Sequence, residues 1–181
     1  SCGTEIKDSS QKLCTHCGFT LSTSASVARQ FVTCVRPKKA QVDLELAFTV
    51  DRTASSNEFS IGIQRTAEML LDVVGQRIRS IKCWLQTHGD LDEGQRMQLL
   101  TDGGTAEQVL VDLKGVTFAG GGVPEEHHLD ALETLALTIP WSNIPMTSRS
   151  IVVAYLTDDT KPAKSGRSAE ELGRLYQERN I

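Results

Sequence analysis

Across residues 42–50 apolar and polar side chains alternate strictly, then give way to the run Leu46-Ala47-Phe48-Thr49-Val50, which stops at Asp51. Alternation predicts a β-strand, and its passage into continuous apolar sequence predicts a strand buried on both faces. Next, Phe59, Ile63, Ala67, Leu70, Val74 and Ile78 recur at three- and four-residue spacing. That period predicts an amphipathic helix, with Ser55, Ser56 or Asn57 as its cap. Residues 81–85 read as a second strand, followed by a polar loop at 87–94. Residues 96–100 read as a third strand at the sheet edge, and residues 105–113 as a short helix capped by Thr105. After Gly120-Gly121-Gly122, a helix is predicted over 124–137, with Pro124 in its first turn and Glu125 and Glu126 at its positive end. Residues 150–156 form another apolar strand, with Asp158 just beyond it, and residues 168–179 a last helix.

Strands alternating with helices predict an α/β fold, a three-layer, doubly wound and mostly parallel sheet covered on both faces. In such sheets functional groups gather at the C-terminal ends of strands.

Composition divides the chain. At 181 residues it holds one substantial core and a small appendage, not two ordinary domains. Residues 1–40 carry six Lys or Arg against two acids, whereas residues 41–181 carry thirteen against twenty-one. The boundary falls at Arg36-Pro37-Lys38-Lys39, a solvated basic run. The expected organisation is a cysteine-bearing segment with linker over 1–35 and an α/β domain over 41–181. A net charge of −4 gives no general attraction to nucleic acid or anionic membrane. No run of about 20 apolar residues is present to span a bilayer.

The segment Asp51-Arg52-Thr53-Ala54-Ser55 lies between the first strand and the long helix. There it resembles the DxSxS motif of von Willebrand factor A domains. The resemblance continues through Gly120-Gly121-Gly122-Val123-Pro124-Glu125, Leu129-Asp130-Ala131-Leu132, Trp141 and Leu156-Thr157-Asp158. It covers about residues 41–181 and implies the family's MIDAS-like metal site. Carried over residue by residue, the implied ligands are Asp51, Thr53, Ser55 and Asp158, holding Mg²⁺ (or Mn²⁺ or Ca²⁺). A hard divalent cation takes six or more oxygen ligands and keeps some as water. Two strand-end carboxylates with two hydroxyls on one turn suit it. The family's middle loop adds a Thr or Asp, but this chain has Val123 there; Thr117, Glu125 or a water could compensate. The resemblance also implies further strand and helix beyond Asn180-Ile181.

Cys2-Gly3 and Cys14-Thr15-His16-Cys17-Gly18 resemble a partial zinc ribbon with CxxCG knuckles, which implies structural Zn²⁺. Cys2, Cys14 and Cys17 would ligate it, with Cys34 as fourth ligand or a cysteine preceding Ser1. An odd cysteine count with one CxxC suits a reducing compartment, so a cytoplasmic location is expected. Cys83 lies within a strand and reads as core.

The resemblance implies a metal-assisted protein-binding module, not an enzyme, in which a partner's Asp or Glu completes the metal shell. No GxSxG elbow, P-loop or HExxH is present. Two alternatives stand beside it. One is a metal-dependent hydrolase using Asp51, Asp158 and His127 or His128, which requires an imidazole within one water of the ion. The other is a metal-free scaffold in a larger assembly.

Overall fold

The computed structural model describes residues 40–122, 125–142, 144 and 146–181. Cys2, Cys14, Cys17 and Cys34, and with them the expected zinc ribbon, lie outside these residues, as does Val123.

Strand β1 (Ala40–Asp51) sits inside a four-stranded sheet of order β3-β2-β1-β4. Its register with β4 (Ser148–Tyr155) is parallel, from Asp43 opposite Ser148 to Val50 opposite Tyr155. Strand β2 (Ile78–His88) pairs antiparallel with β3 (Gln98–Gly104), which forms the expected edge. The sheet is therefore mixed.

The two faces of β1 supply two cores. Leu44, Leu46, Phe48 and Val50 point toward helices α1 (Ser60–Gly75) and α2 (Ala106–Lys114), meeting Ile63, Ala67, Leu71, Val109 and Leu113. Ala47 points the other way, into a cluster of Trp84, Leu135, Ile139 and Trp141. That second layer is organised by α3 (His128–Thr138), and α4 (Ala169–Glu178) attaches to α3 through Tyr176 Oη, which donates to the Leu132 carbonyl at 2.9 Å. Cys83 is fully buried, and burial pushes its thiol up to about 12, so it is inert core. Among the described residues, no helix is long and apolar enough to cross a membrane.

Two local expectations change. Helix α1 is not capped by Ser55, Ser56 or Asn57: a 3₁₀ turn (Ala54–Phe59) comes first, and the α-helix follows without a side-chain cap. Helix α3 starts at His128 rather than 124, because Glu126 is held extended by pairing with the loop after β4. The Glu126 amide donates to the Asp159 carbonyl at 2.9 Å, and the Lys161 amide to the Glu126 carbonyl at 2.8 Å. By contrast, Thr105 caps α2 as expected, accepting from the Gln108 amide. Ser168 and Glu171 form a full capping box on α4.

Leu85 is fully buried in the first core. Leu85→Ala is expected to lower unfolding free energy by about 2–5 kcal/mol, read by urea denaturation.

Candidate metal centre

Strands β1 and β4 run parallel and end side by side, so the segments that follow them meet. Asp51, the last residue of β1, is completely buried, and Thr53 nearly so. A carboxylate taken out of water must be paired or hydrogen-bonded, and Asp51 is saturated by short-range donors. Its Oδ1 accepts from the Thr53 amide at 2.9 Å and the Thr53 hydroxyl at 2.8 Å. Its Oδ2 accepts from the Thr157 hydroxyl at 2.5 Å. Burial alone would raise this carboxyl; the Thr157 and Thr53 hydrogen bonds overcome that and hold it below the usual carboxylate range.

Ser55 completes a ring of oxygens. Its Oγ is 3.0 Å from Thr53 Oγ1 and 3.2 Å from Thr157 Oγ1, and Ser56 Oγ is 3.0 Å from Thr157 Oγ1. A hydroxyl has one proton and two lone pairs. Since Thr53 and Thr157 each spend that proton on Asp51, they act as acceptors toward the Ser55 and Ser56 hydroxyls. One carboxylate ringed by such hydroxyls is an oxygen-only donor set that fits a hard divalent cation.

Asp51, Thr53 and Ser55 are thus brought together as expected. Asp158 lines the same roughly 480 Å³ cavity with Ser55, Ser56 and Thr157, but it is exposed, has a φ of 62°, and makes no hydrogen bond to the ring. The residue that reaches Asp51 is its neighbour Thr157. Thr117 and Glu125 are both exposed, and neither hydrogen-bonds to the ring. The buried acid on that side is Glu126, 2% exposed, whose Oε2 has no hydrogen-bond partner.

The glycine loop is fastened to the same turn. The Ala54 amide donates to the Gly120 carbonyl, and the Ala119 amide to the Arg52 carbonyl, both at 2.9 Å. Gly121 has a φ of 84°, and a Cβ there would stand 3.0 Å from Thr53 Cβ and 3.1 Å from Glu126 Oε1. Backbone conformation and close approach both require glycine.

Two histidines adjacent in sequence face different ways. His128 Nε2 lies 2.6 Å from the Thr157 carbonyl, and its Nδ1 lies 2.9 Å from His88 Nε2. A carbonyl can only accept, so His128 donates from Nε2 and its Nδ1 accepts from His88 Nε2–H. His88 Nδ1 then accepts from the Thr49 hydroxyl at 2.9 Å. This buried chain ties the Thr157 turn to β1 and β2. Burial, then His128, push His88 down from 6.5 to about 4, against the opposing pull of Asp51.

His127 turns instead to Asp90 and Asp92, and the three offer ligand atoms within 4.8 Å of one another, a spacing able to hold a divalent ion. Asp90 is not the solvated loop acid that its sequence context suggests, being 1% exposed. Lys161 Nζ lies among these groups, 2.9 Å from Asp90 Oδ2 and 3.1 Å from Asp92 Oδ2, and Lys164 Nζ is 3.1 Å from Asp92 Oδ1. Burial would raise Asp90, but the Lys161 ammonium and the Asp92 amide hold it low. The chain's own ammonium thus stands where a cation would.

No family model matches the chain, and no curated protein matches it. Solved structures do share the fold. Proximal thread matrix protein 1 from the mussel byssus, in a second crystal form, superposes with a TM-score of 0.52 at 17% identity. The same protein with a zinc-occupied MIDAS motif gives 0.54 at 15%. In each case 77% of this chain is covered, but only 34% of the other, so the chain spans about a third of the solved chains it matches. The α/β fold is therefore shared with a protein that bears a MIDAS motif. The cytoplasmic expectation is corrected by the same finding: the matching structures are of a byssal thread matrix protein. The cysteines on which that expectation rested lie outside the described residues.

Removing Lys161 leaves Asp90 buried without its counter-charge. Lys161→Met is expected to lower the urea midpoint, and by more than the same change at exposed Lys164. A second expectation concerns pH. Between about pH 6.5 and 4 the unfolded chain takes up a proton at His88 that the folded chain refuses, so this contribution to stability is lost as pH falls. Relative to His88→Gln, the wild type should lose on the order of 3 kcal/mol across that window. Urea midpoints at pH 7, 5.5 and 4.5 check it, and a difference that stays constant would count against it.

Proposed function

We propose that residues 41–181 act as a protein-binding module whose divalent cation, Mg²⁺ before other metals, sits at the ends of β1 and β4. Asp51, Thr53 and Ser55 hold it together with Thr157, and Asp158 faces the same cavity. The ring of hydroxyls saturating one buried carboxylate is the observation that carries this reading. The cation would supply Lewis acidity toward an Asp or Glu of a protein partner. This chain's part is to fix the donors, through the Gly120 contact with Ala54 and the His128 contact with Thr157. The shared fold with a protein whose MIDAS motif holds zinc supports the reading. The domain organisation, with a separate cysteine segment over 1–35, belongs to the same proposal.

Binding is favoured over hydrolysis by the histidines. A hydrolase needs a ring nitrogen free to take a proton from water. Both nitrogens of His128 are spent on His88 and the Thr157 carbonyl, while His127 Nδ1 accepts from the Leu91 amide and its Nε2 faces Asp92.

Metal alone tests the centre. Millimolar Mg²⁺ or Mn²⁺ should raise the melting temperature above that in EDTA, equivalent to about 2.7 kcal/mol at a hundredfold excess over Kd. Asp51→Ala and Thr157→Val should remove most of the shift. An equal shift in Asp51→Ala would place the cation elsewhere and sink the reading.

A further inference from the structure

We propose that Glu126 supplies a second carboxylate to the metal centre built on Asp51, in place of the middle-loop donor that Val123 lacks. The inference rests on the reading that this centre holds a divalent cation.

Position comes first. Glu126 is not on a mobile side of a helix: its amide and carbonyl are both engaged with residues 159–161, which fixes its Cα. The side chain is 2% exposed and therefore directed into the protein. Its Oε1 and the Thr53 Cβ lie 3.1 and 3.0 Å from one point, the place where a Cβ on Gly121 would stand. Glu126 thus reaches the Thr53 side of the Asp51 ring across the bare α-carbon of Gly121.

Its surroundings come second. Oε2 is buried with no hydrogen-bond partner, which buried carboxylates avoid. Burial, followed by the charges of Asp51, Asp90 and Asp158, pushes the carboxyl up to about 7, with Lys161 opposing. Among the described residues Oε2 is thus left idle in an acid that the charges of Asp51, Asp90 and Asp158 oppose. Asp90, in the same neighbourhood, meets its ammonium at hydrogen-bond distance, whereas among the described residues Glu126 has no ion-pair partner. A divalent ion shared with Asp51 would remove both the idle oxygen and the like-charge repulsion.

The test compares wild type, Glu126→Gln and Asp51→Asn as full chains, with Mn²⁺ as the probe. Melting temperatures are read in EDTA and Mn²⁺, and Kd for Mn²⁺ by electron paramagnetic resonance. Glu126→Gln removes charge but keeps shape, so in EDTA it should melt at or above the wild-type temperature. Its Kd for Mn²⁺ should rise at least tenfold, and Asp51→Asn should lose binding altogether. A Glu126→Gln variant binding Mn²⁺ as tightly as wild type, while Asp51→Asn does not, overturns the role of Glu126 and leaves the centre intact. Failure of the wild type to bind Mn²⁺ overturns both. Should Glu126→Gln melt lower in EDTA, a crystal structure of Mn²⁺-loaded wild type decides. A Glu126 oxygen on the ion, directly or through one water, supports the assignment, and one facing away from it overturns it.

Discussion

A carboxylate with no exposure at the end of an interior strand must be answered by donors within a few ångströms. At Asp51 that requirement shapes the whole upper end of the sheet. The Thr53 amide and hydroxyl answer one oxygen and the Thr157 hydroxyl the other. For Thr157 to arrive there, β1 and β4 must be parallel neighbours in the register that sets Val50 opposite Tyr155. The turn carrying Thr157 must then be anchored. Its carbonyl is taken by His128, His128 by His88, and His88 by Thr49 back on β1. The loop is closed: β1 positions the carboxylate and, through two imidazoles, the hydroxyl that serves it.

Two buried acids at this end of the sheet show different answers to one electrostatic problem. Asp90 is neutralised from within, by an ammonium whose backbone is hydrogen-bonded to Glu126. That arrangement needs no added ion and binds the loop after β2 to the loop after β4. Glu126 sits between this internal pair and Asp51 with neither a counter-charge in contact nor a full set of donors. The difference separates a structural ion pair from a buried acid that a cation would satisfy.

What the sequence reveals depends on how local each cause is. The alternation along β1, the three- and four-residue spacing of α1, and the cap at Thr105 are written in neighbouring residues, and they read correctly. Asp51, Thr53 and Ser55 also lie close in sequence, and one turn brings them together. Thr157 is hidden beside Asp158, because choosing between adjacent residues requires the backbone direction at the end of β4. The start of α3 is misplaced because Pro124, Glu125 and Glu126 look like a helix N-terminus. Pairing with residues 159–161, more than thirty positions away, holds Glu126 extended instead. The burial of Glu126 follows from the same pairing, so an acid that reads as a solvated first-turn residue becomes part of the interior. His127 and His128 carry a period cue, since adjacent positions diverge, but their partners Asp90 and His88 are fixed only by tertiary packing.

The composition of the ring bears on what a cation there could do. Hydroxyls are neutral donors, so Asp51 with Thr53, Ser55 and Thr157 would leave a divalent ion with a net positive charge and an appetite for one further anion. Each added carboxylate lowers that appetite while strengthening retention of the ion, the same trade that tunes oxygen-ligand sites through charge count. Glu126, buried and fixed, would act on retention. Asp158, exposed and lining the cavity with Ser55 and Thr157, has a left-handed backbone unusual for a residue with a side chain. With a cation bound as proposed, the two acids would act on opposite sides of the balance: Glu126 toward holding the metal, and Asp158 against the arrival of an acidic partner.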